Sequence, residues 1–136
     1  MDYEKYIYNL FVDNEIFDYS INEIKNQHDL NFYISLGSAL NNLKHDYGLV
    51  GLKHMIDKIC ENIHYSINYR EAKQIIKFFN YITNGMTLSY RLTIEHYKVL
   101  LKYDDISFIN HCIDFYLKSP LSLDKFIEYV NNMKSN

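Results

Sequence analysis

The chain has no tryptophan, a single proline (Pro120), four glycines and two cysteines in 136 residues. Each scarcity excludes something. So few glycines and prolines argue against flexible linkers, low-complexity tails and many tight turns. Cys60 and Cys112 do not make a disulfide framework. Both are expected as reduced thiols on buried helix faces, where cysteine behaves as a small hydrophobe. Basic residues number 14 against 17 acidic ones, for a net charge of −3, and they never form a run. Nucleic-acid binding would normally show a basic stripe, and none is visible, so no nucleic-acid partner is expected. No stretch of spanning length is free of charge, so no membrane insertion is expected. The opening Met1-Asp2-Tyr3-Glu4-Lys5 lacks the basic region and apolar core of a signal peptide. No Asn-x-Ser/Thr sequon occurs either, and the expected location is inside a cell.

Alanine and arginine are scarce too: Ala39, Ala72, Arg70 and Arg91 are the full set. Isoleucine, asparagine, lysine and tyrosine crowd the chain instead. All four are encoded by AT-rich codons, which points to an AT-rich genome rather than to a demand of the fold.

Apolar residues make up 48% of the chain, enough at this length for one sizeable core. A single helical domain over residues 1–136 is expected. Helical spacing recurs throughout. Tyr3, Tyr6, Ile7, Leu10 and Phe11 share one face behind a cap at Asp2. Ser20 and Glu23 resemble a capping box for a short turn carrying Ile21 and Ile24. Tyr33, Leu36, Leu40 and Leu43 mark a third helix that Gly48 ends. Leu49, Leu52, Ile56, Ile59 and Ile63 mark a fourth, and His64 to Asn68 reads as a loop. Ala72, Ile75, Ile76, Phe79 and Ile82 mark a fifth, stopped by Asn84-Gly85. It is expected at the centre, buried on all sides. Ile94, Tyr97, Leu100 and Leu101 form a sixth. Asp104-Asp105 break the chain and cap a seventh with Ile106, Ile109, Cys112, Ile113 and Tyr116, which Ser119-Pro120 ends. Ser122 caps a last helix with Leu123, Phe126, Ile127 and Val130. Strand-like alternation is confined to Met86 through Tyr90. The expected fold is all-α: one compact bundle of seven to eight short helices. Asp46 to Ile63 loosely resembles Asp104 to Leu121, but two copies do not make a solenoid.

No chemistry announces itself. The six histidines are His28, His45, His54, His64, His96 and His111. None stands three or four residues from another, and neither HExxH nor CxxC occurs, so no metal site is expected. Surface or half-buried positions are the default for all six. Cys60 and Cys112 sit among isoleucines rather than beside a base in a polar cleft. Gly48 and Gly51 are not followed by a phosphate-loop Lys-Ser/Thr. No enzyme activity and no cofactor are expected. Tyrosine (14) and phenylalanine (8) are abundant. Tyrosine suits half-buried packing and partner interfaces alike.

The order of features resembles the poxvirus Bcl-2-like proteins, small intracellular virulence factors. Arg70-Glu71-Ala72-Lys73-Gln74-Ile75-Ile76 is similar to the start of that family's central hydrophobic helix, here near residues 70–83. Glu95-His96-Tyr97-Lys98-Val99-Leu100-Leu101 and the stretch from Phe108 through Ile113-Asp114-Phe115-Tyr116 resemble its last helices. Asp2-Tyr3-Glu4 with Phe11-Val12-Asp13 resembles the first helix of some members, and Phe32-Tyr33-Ile34 the start of their second. The chain departs from that pattern past Lys118, where Pro120 to Asn136 adds a helix. It also lacks the Asn-Trp-Gly-Arg type signature of cellular Bcl-2 proteins. The resemblance implies a Bcl-2-like bundle in the host cell cytoplasm. It implies suppression of innate signalling to NF-κB or interferon factors, or of apoptosis, by binding host proteins. It also implies that a homodimer is one available state. A partner-binding groove would be lined by Leu52, Met55, Ile59, Ile75 and Phe79, residues that serve equally as ordinary core. A second resemblance runs from Phe78-Phe79-Asn80-Tyr81-Ile82-Thr83-Asn84-Gly85 through Leu100-Leu101 and Cys112 to Leu121–Ile127. It is similar to the back half of BTB adaptor domains and implies an oligomerising interaction adaptor with strands in its front half.

Overall fold

The computed structural model describes residues 2–13, 27–63 and 67–135. Six helices carry them: α1 (Tyr3–Asp13), α2 (Gln27–Ile63), α3 (Tyr69–Thr83), α4 (Ile94–Leu100), α5 (Ile106–Lys118) and α6 (Leu123–Ser135). No strand occurs among the described residues, Met86 to Tyr90 included. No helix among them is long and apolar enough to cross a membrane.

Over the described residues the fold is all-helical, with six helices against the seven or eight short ones expected for the chain. The predicted third and fourth helices are one element, α2, broken at Gly48. The predicted turn with Ser20, Ile21, Glu23 and Ile24 lies outside the described residues. Gly48 has φ 73° and ψ −174°, a backbone conformation essentially restricted to glycine. It divides α2 into arms over 27–47 and 49–63. Gly48→Ala is expected to cost about 1–3 kcal/mol through this strain, read as a lower urea midpoint by circular dichroism. An unchanged midpoint would mean that the break straightens freely.

The ends of the helices follow the expected chemistry. The Lys5 amide donates to Asp2 Oδ1 at 3.1 Å, the Phe108 amide to Asp105 Oδ1 at 3.1 Å and the Lys125 amide to Ser122 Oγ at 3.3 Å. Each satisfies a first-turn N–H that has no partner inside its helix. Asn68, at the end of the expected loop, forms a capping box with Glu71. The Glu71 amide donates to Asn68 Oδ1 at 2.8 Å, and the Asn68 amide donates to Glu71 Oε1 at 3.2 Å.

The two arms of α2 form the spine against which α1 and α3 pack, while α4 packs on α6. Tyr3, Ile7 and Phe11 of α1 are buried against it, as are Leu36, Leu40, Leu43, Leu52 and Ile56 of α2 itself. The Tyr3 hydroxyl donates to Asp46 Oδ2 across this contact. That bond, more than any other influence, holds the Asp46 carboxyl below its ordinary value. Leu49 breaks the predicted stripe. It lies 51% exposed, between Tyr47 at 63% and Val50 at 84%, because the Gly48 break turns these positions away from the core.

α3 corrects the expectation of an all-round buried helix. Ala72, Ile75, Ile76 and Phe78 are buried, but Arg70, Lys73 and Thr83 are exposed. Phe78, which the sequence stripe omitted, is completely buried, whereas Phe79 and Ile82 are half-buried. The reason is that α3 has neighbours on two flanks. Phe79 and Ile75 approach Gly37 of α2. Phe78 meets Tyr97 of α4 edge-on, with ring centres 5.0 Å apart. The remaining side of α3 faces solvent.

Candidate functional site

That solvent side of α3 carries Arg70, Lys73, Gln74 and Lys77, which recur at i, i+3, i+4 and i+7 and so share one face. Opposite them, α4 and its following turn present Lys98, Leu101 and Lys102. Together these seven residues line a groove of about 280 Å³ between the two helices. Five of the chain's fourteen basic residues meet here. No carboxylate is among the described residues lining it.

Three carboxylates stand at its margins: Asp104, Glu95 and, at the edge of the pit beneath, Glu71. Asp104 Oδ1 is 3.8 Å from Lys77 Nζ, and Glu95 Oε1 is 3.4 Å from Lys98 Nζ. Pairs as exposed as the first are worth little and are readily exchanged. Aromatic rings hold the lysines in place. Lys73 Nζ lies 5.1 Å and Lys53 Nζ 5.6 Å from the centre of the Tyr69 ring, and Lys77 Nζ lies 5.3 Å from that of Tyr81. Cation–π attraction at such distances fixes ammonium groups without neutralising them. The Tyr81 hydroxyl donates to the Tyr103 carbonyl at 2.9 Å, which ties α3 to the loop after α4. Beneath the groove is a smaller pit walled by Tyr33, Ile75, Phe78 and Ile94, with Glu71, Gln74, Lys98 and Leu101 at its edge. Glu71 Oε2 is buried without a hydrogen-bond partner.

A search for runs of basic residues misses this site. The α3 cations are separated by helical spacing, and the second row follows some twenty residues later, on a different helix. The only linear signals are Arg70-x-x-Lys73-x-x-x-Lys77 and Lys98-x-x-x-Lys102.

The five residues implied as a partner groove fall elsewhere. Leu52, Ile59 and Ile75 are sealed in the core. Met55 and Phe79 are half-buried, so none of the five is exposed. They are not brought together as an open surface.

Among the histidines, His45, His54 and His111 are exposed, while the side chains of His28 and His64 lie outside the described residues. His96 departs from the surface default. It is 7% exposed, and its ring centre lies 5.0 Å from that of Tyr116 and 5.2 Å from that of Phe126. The Thr93 amide donates to His96 Nδ1 at 3.1 Å, closing the start of α4. The neutral ring therefore carries its proton on Nε2, which is buried without a partner. Burial pulls the imidazole pKa below the ordinary 6.5, with Glu95 opposing more weakly.

The sign of the pH effect follows. As pH falls, the unfolded chain binds this proton before the folded one does. The stabilising contribution is complete above about 6.5 and is lost as pH drops through the lowered folded-state value. The urea midpoint is therefore expected to fall between pH of about 7.5 and about 5.5, and His96→Phe is expected to flatten that slope. A wild-type midpoint that rises on acidification, or a slope retained in His96→Phe, would refute this assignment.

Both cysteines are free; Cys112 is buried and Cys60 partly so. Burial pushes the Cys112 thiol up to about 11, so it stays protonated at neutral pH. No cluster of three or more metal-ligating side chains occurs among the described residues. No family model, no curated protein and no solved structure matches this chain.

Proposed function

We propose that this protein acts by binding another protein, without catalysis and without a cofactor. The observation that carries the proposal is the α3–α4 groove, in which five cations converge on a chain of net charge −3. Such concentration against the overall charge creates a local field suited to a complementary surface. The burial of one cysteine and one histidine is consistent with this. Cys112 is buried and protonated, and His96 is buried and neutral.

The resemblance to the poxvirus Bcl-2-like proteins supplies the more specific form of the proposal. In that form the protein binds host signalling or apoptosis proteins in the host cytoplasm. It thereby suppresses NF-κB or interferon responses, or cell death. An all-helical chain over the described residues supports this form and gives the BTB-like alternative no strand on which to rest. The test is expression in cultured host cells carrying NF-κB and interferon reporters, with a parallel death stimulus and affinity purification of the tagged protein. Suppression in at least one arm, with a host protein retained in stoichiometric amount, is expected. Three inert arms with nothing retained would overturn the proposal.

A further inference from the structure

We infer that the groove between α3 and α4 receives a short acidic segment of a protein partner. This rests on the binding function proposed above and specifies the chemistry of the partner at that same site.

The first argument is geometric. From Arg70 to Lys77 α3 rises about 10 Å, or about two helical turns. Lys98, near the end of α4, and Lys102, in the turn after it, form a shorter row on the other side of the groove. Charges this close repel one another within a single screening length. No carboxylate among the groove's described lining residues relieves them. Asp104 and Glu95 at its margins engage Lys77 and Lys98, at 3.8 and 3.4 Å. Arg70, Lys73 and Lys102, all exposed, face the solvent side of the groove. A segment bearing three or four carboxylates along two turns supplies the missing charge at the matching spacing.

The second argument separates a peptide from a nucleic acid, the other polyanion that a basic groove admits. Proteins that grip single strands stack bases on open aromatic faces. Here the aromatic rings flanking the groove already carry ammonium groups, Lys53 and Lys73 over Tyr69 and Lys77 over Tyr81.

The test is fluorescence anisotropy with the full chain at about 50 mM salt, where surface charges act at longest range. Three labelled probes of about twelve residues are compared: a glutamate–serine peptide, its glutamine–serine counterpart and an oligothymidine. The glutamate peptide is expected to bind at least about tenfold more tightly than either of the others. The variant Arg70→Glu/Lys73→Glu/Lys102→Glu is expected to lose at least about tenfold of that affinity. A control with the same charge change on other exposed lysines, Lys44→Glu/Lys118→Glu/Lys125→Glu, is expected to lose less than about threefold. Circular dichroism checks each fold. If the triple reversal is misfolded, Lys73→Gln/Lys102→Gln must still bind more weakly than wild type. Equal loss in the control, equal binding of the glutamine peptide, or tighter binding of oligothymidine would each overturn the inference. The reporter assays are independent of it. Suppression without acidic-peptide binding overturns the groove assignment alone, and peptide binding without suppression overturns the signalling function alone.

Discussion

Gly37→Leu is expected to abolish the native fold or lower its stability by more than about 3 kcal/mol, beyond the ordinary cost of overpacking a core. A Cβ built at Gly37 would stand 2.7 Å from Phe79 Cβ and 2.8 Å from the Ile75 carbonyl oxygen. Neither is the free end of a flexible side chain. One is fixed to the α3 backbone and the other belongs to it. The long helix and α3 therefore meet at backbone distance, and any side chain at position 37 must push them apart. Gly37→Ala tests the same contact more gently. It gains up to about 1 kcal/mol of helix propensity and loses about 1–3 kcal/mol to overpacking, for a small net loss. Domains of this kind have about 5–15 kcal/mol in total. Urea unfolding followed by circular dichroism reads both variants. A wild-type midpoint for Gly37→Leu would show that α2 and α3 do not touch there.

Phe78→Ala is expected to cost about 3–5 kcal/mol, the usual loss when a fully buried phenylalanine is truncated. Its ring fills the space between α3 and α4 against Tyr97. Tyr97 in turn is a strut for the loop between those helices. Its hydroxyl donates to the Thr87 carbonyl at 2.9 Å and accepts the Ser89 amide at 2.9 Å. A cavity beside the ring loosens both helix packing and this loop. The matched control is Phe79→Ala, one position along and half-buried, which should cost clearly less. Equal losses would mean that α3 is rotated from the orientation described, and the basic face with it.

The contrast between those two phenylalanines shows where sequence reasoning stops. Periodicity marks the apolar arc of α3 correctly through Ala72, Ile75 and Ile76. It cannot say that a second neighbour, α4, widens that arc towards Phe78, because the position of α4 is not local information. The same limit hides the basic groove, whose two rows belong to different helices. Local chemistry was legible: Asp2, Asp105 and Ser122 cap as expected, and Gly48 interrupts the helix. Leu49 was misassigned because the Gly48 break resets the helical phase at that point. His96 was missed because nothing in a lone histidine reveals that Tyr116 and Phe126 will close over it.

That closure has a consequence for the order of events during synthesis. Phe126 belongs to α6, and α6 leaves the ribosome after α4. At about 5–20 residues per second, the chain between Leu100 and Leu123 takes roughly one to five seconds to add. Until α6 docks, the His96 enclosure lacks the wall that Phe126 supplies, and the burial that lowers its imidazole is incomplete. Docking of α6 completes that burial.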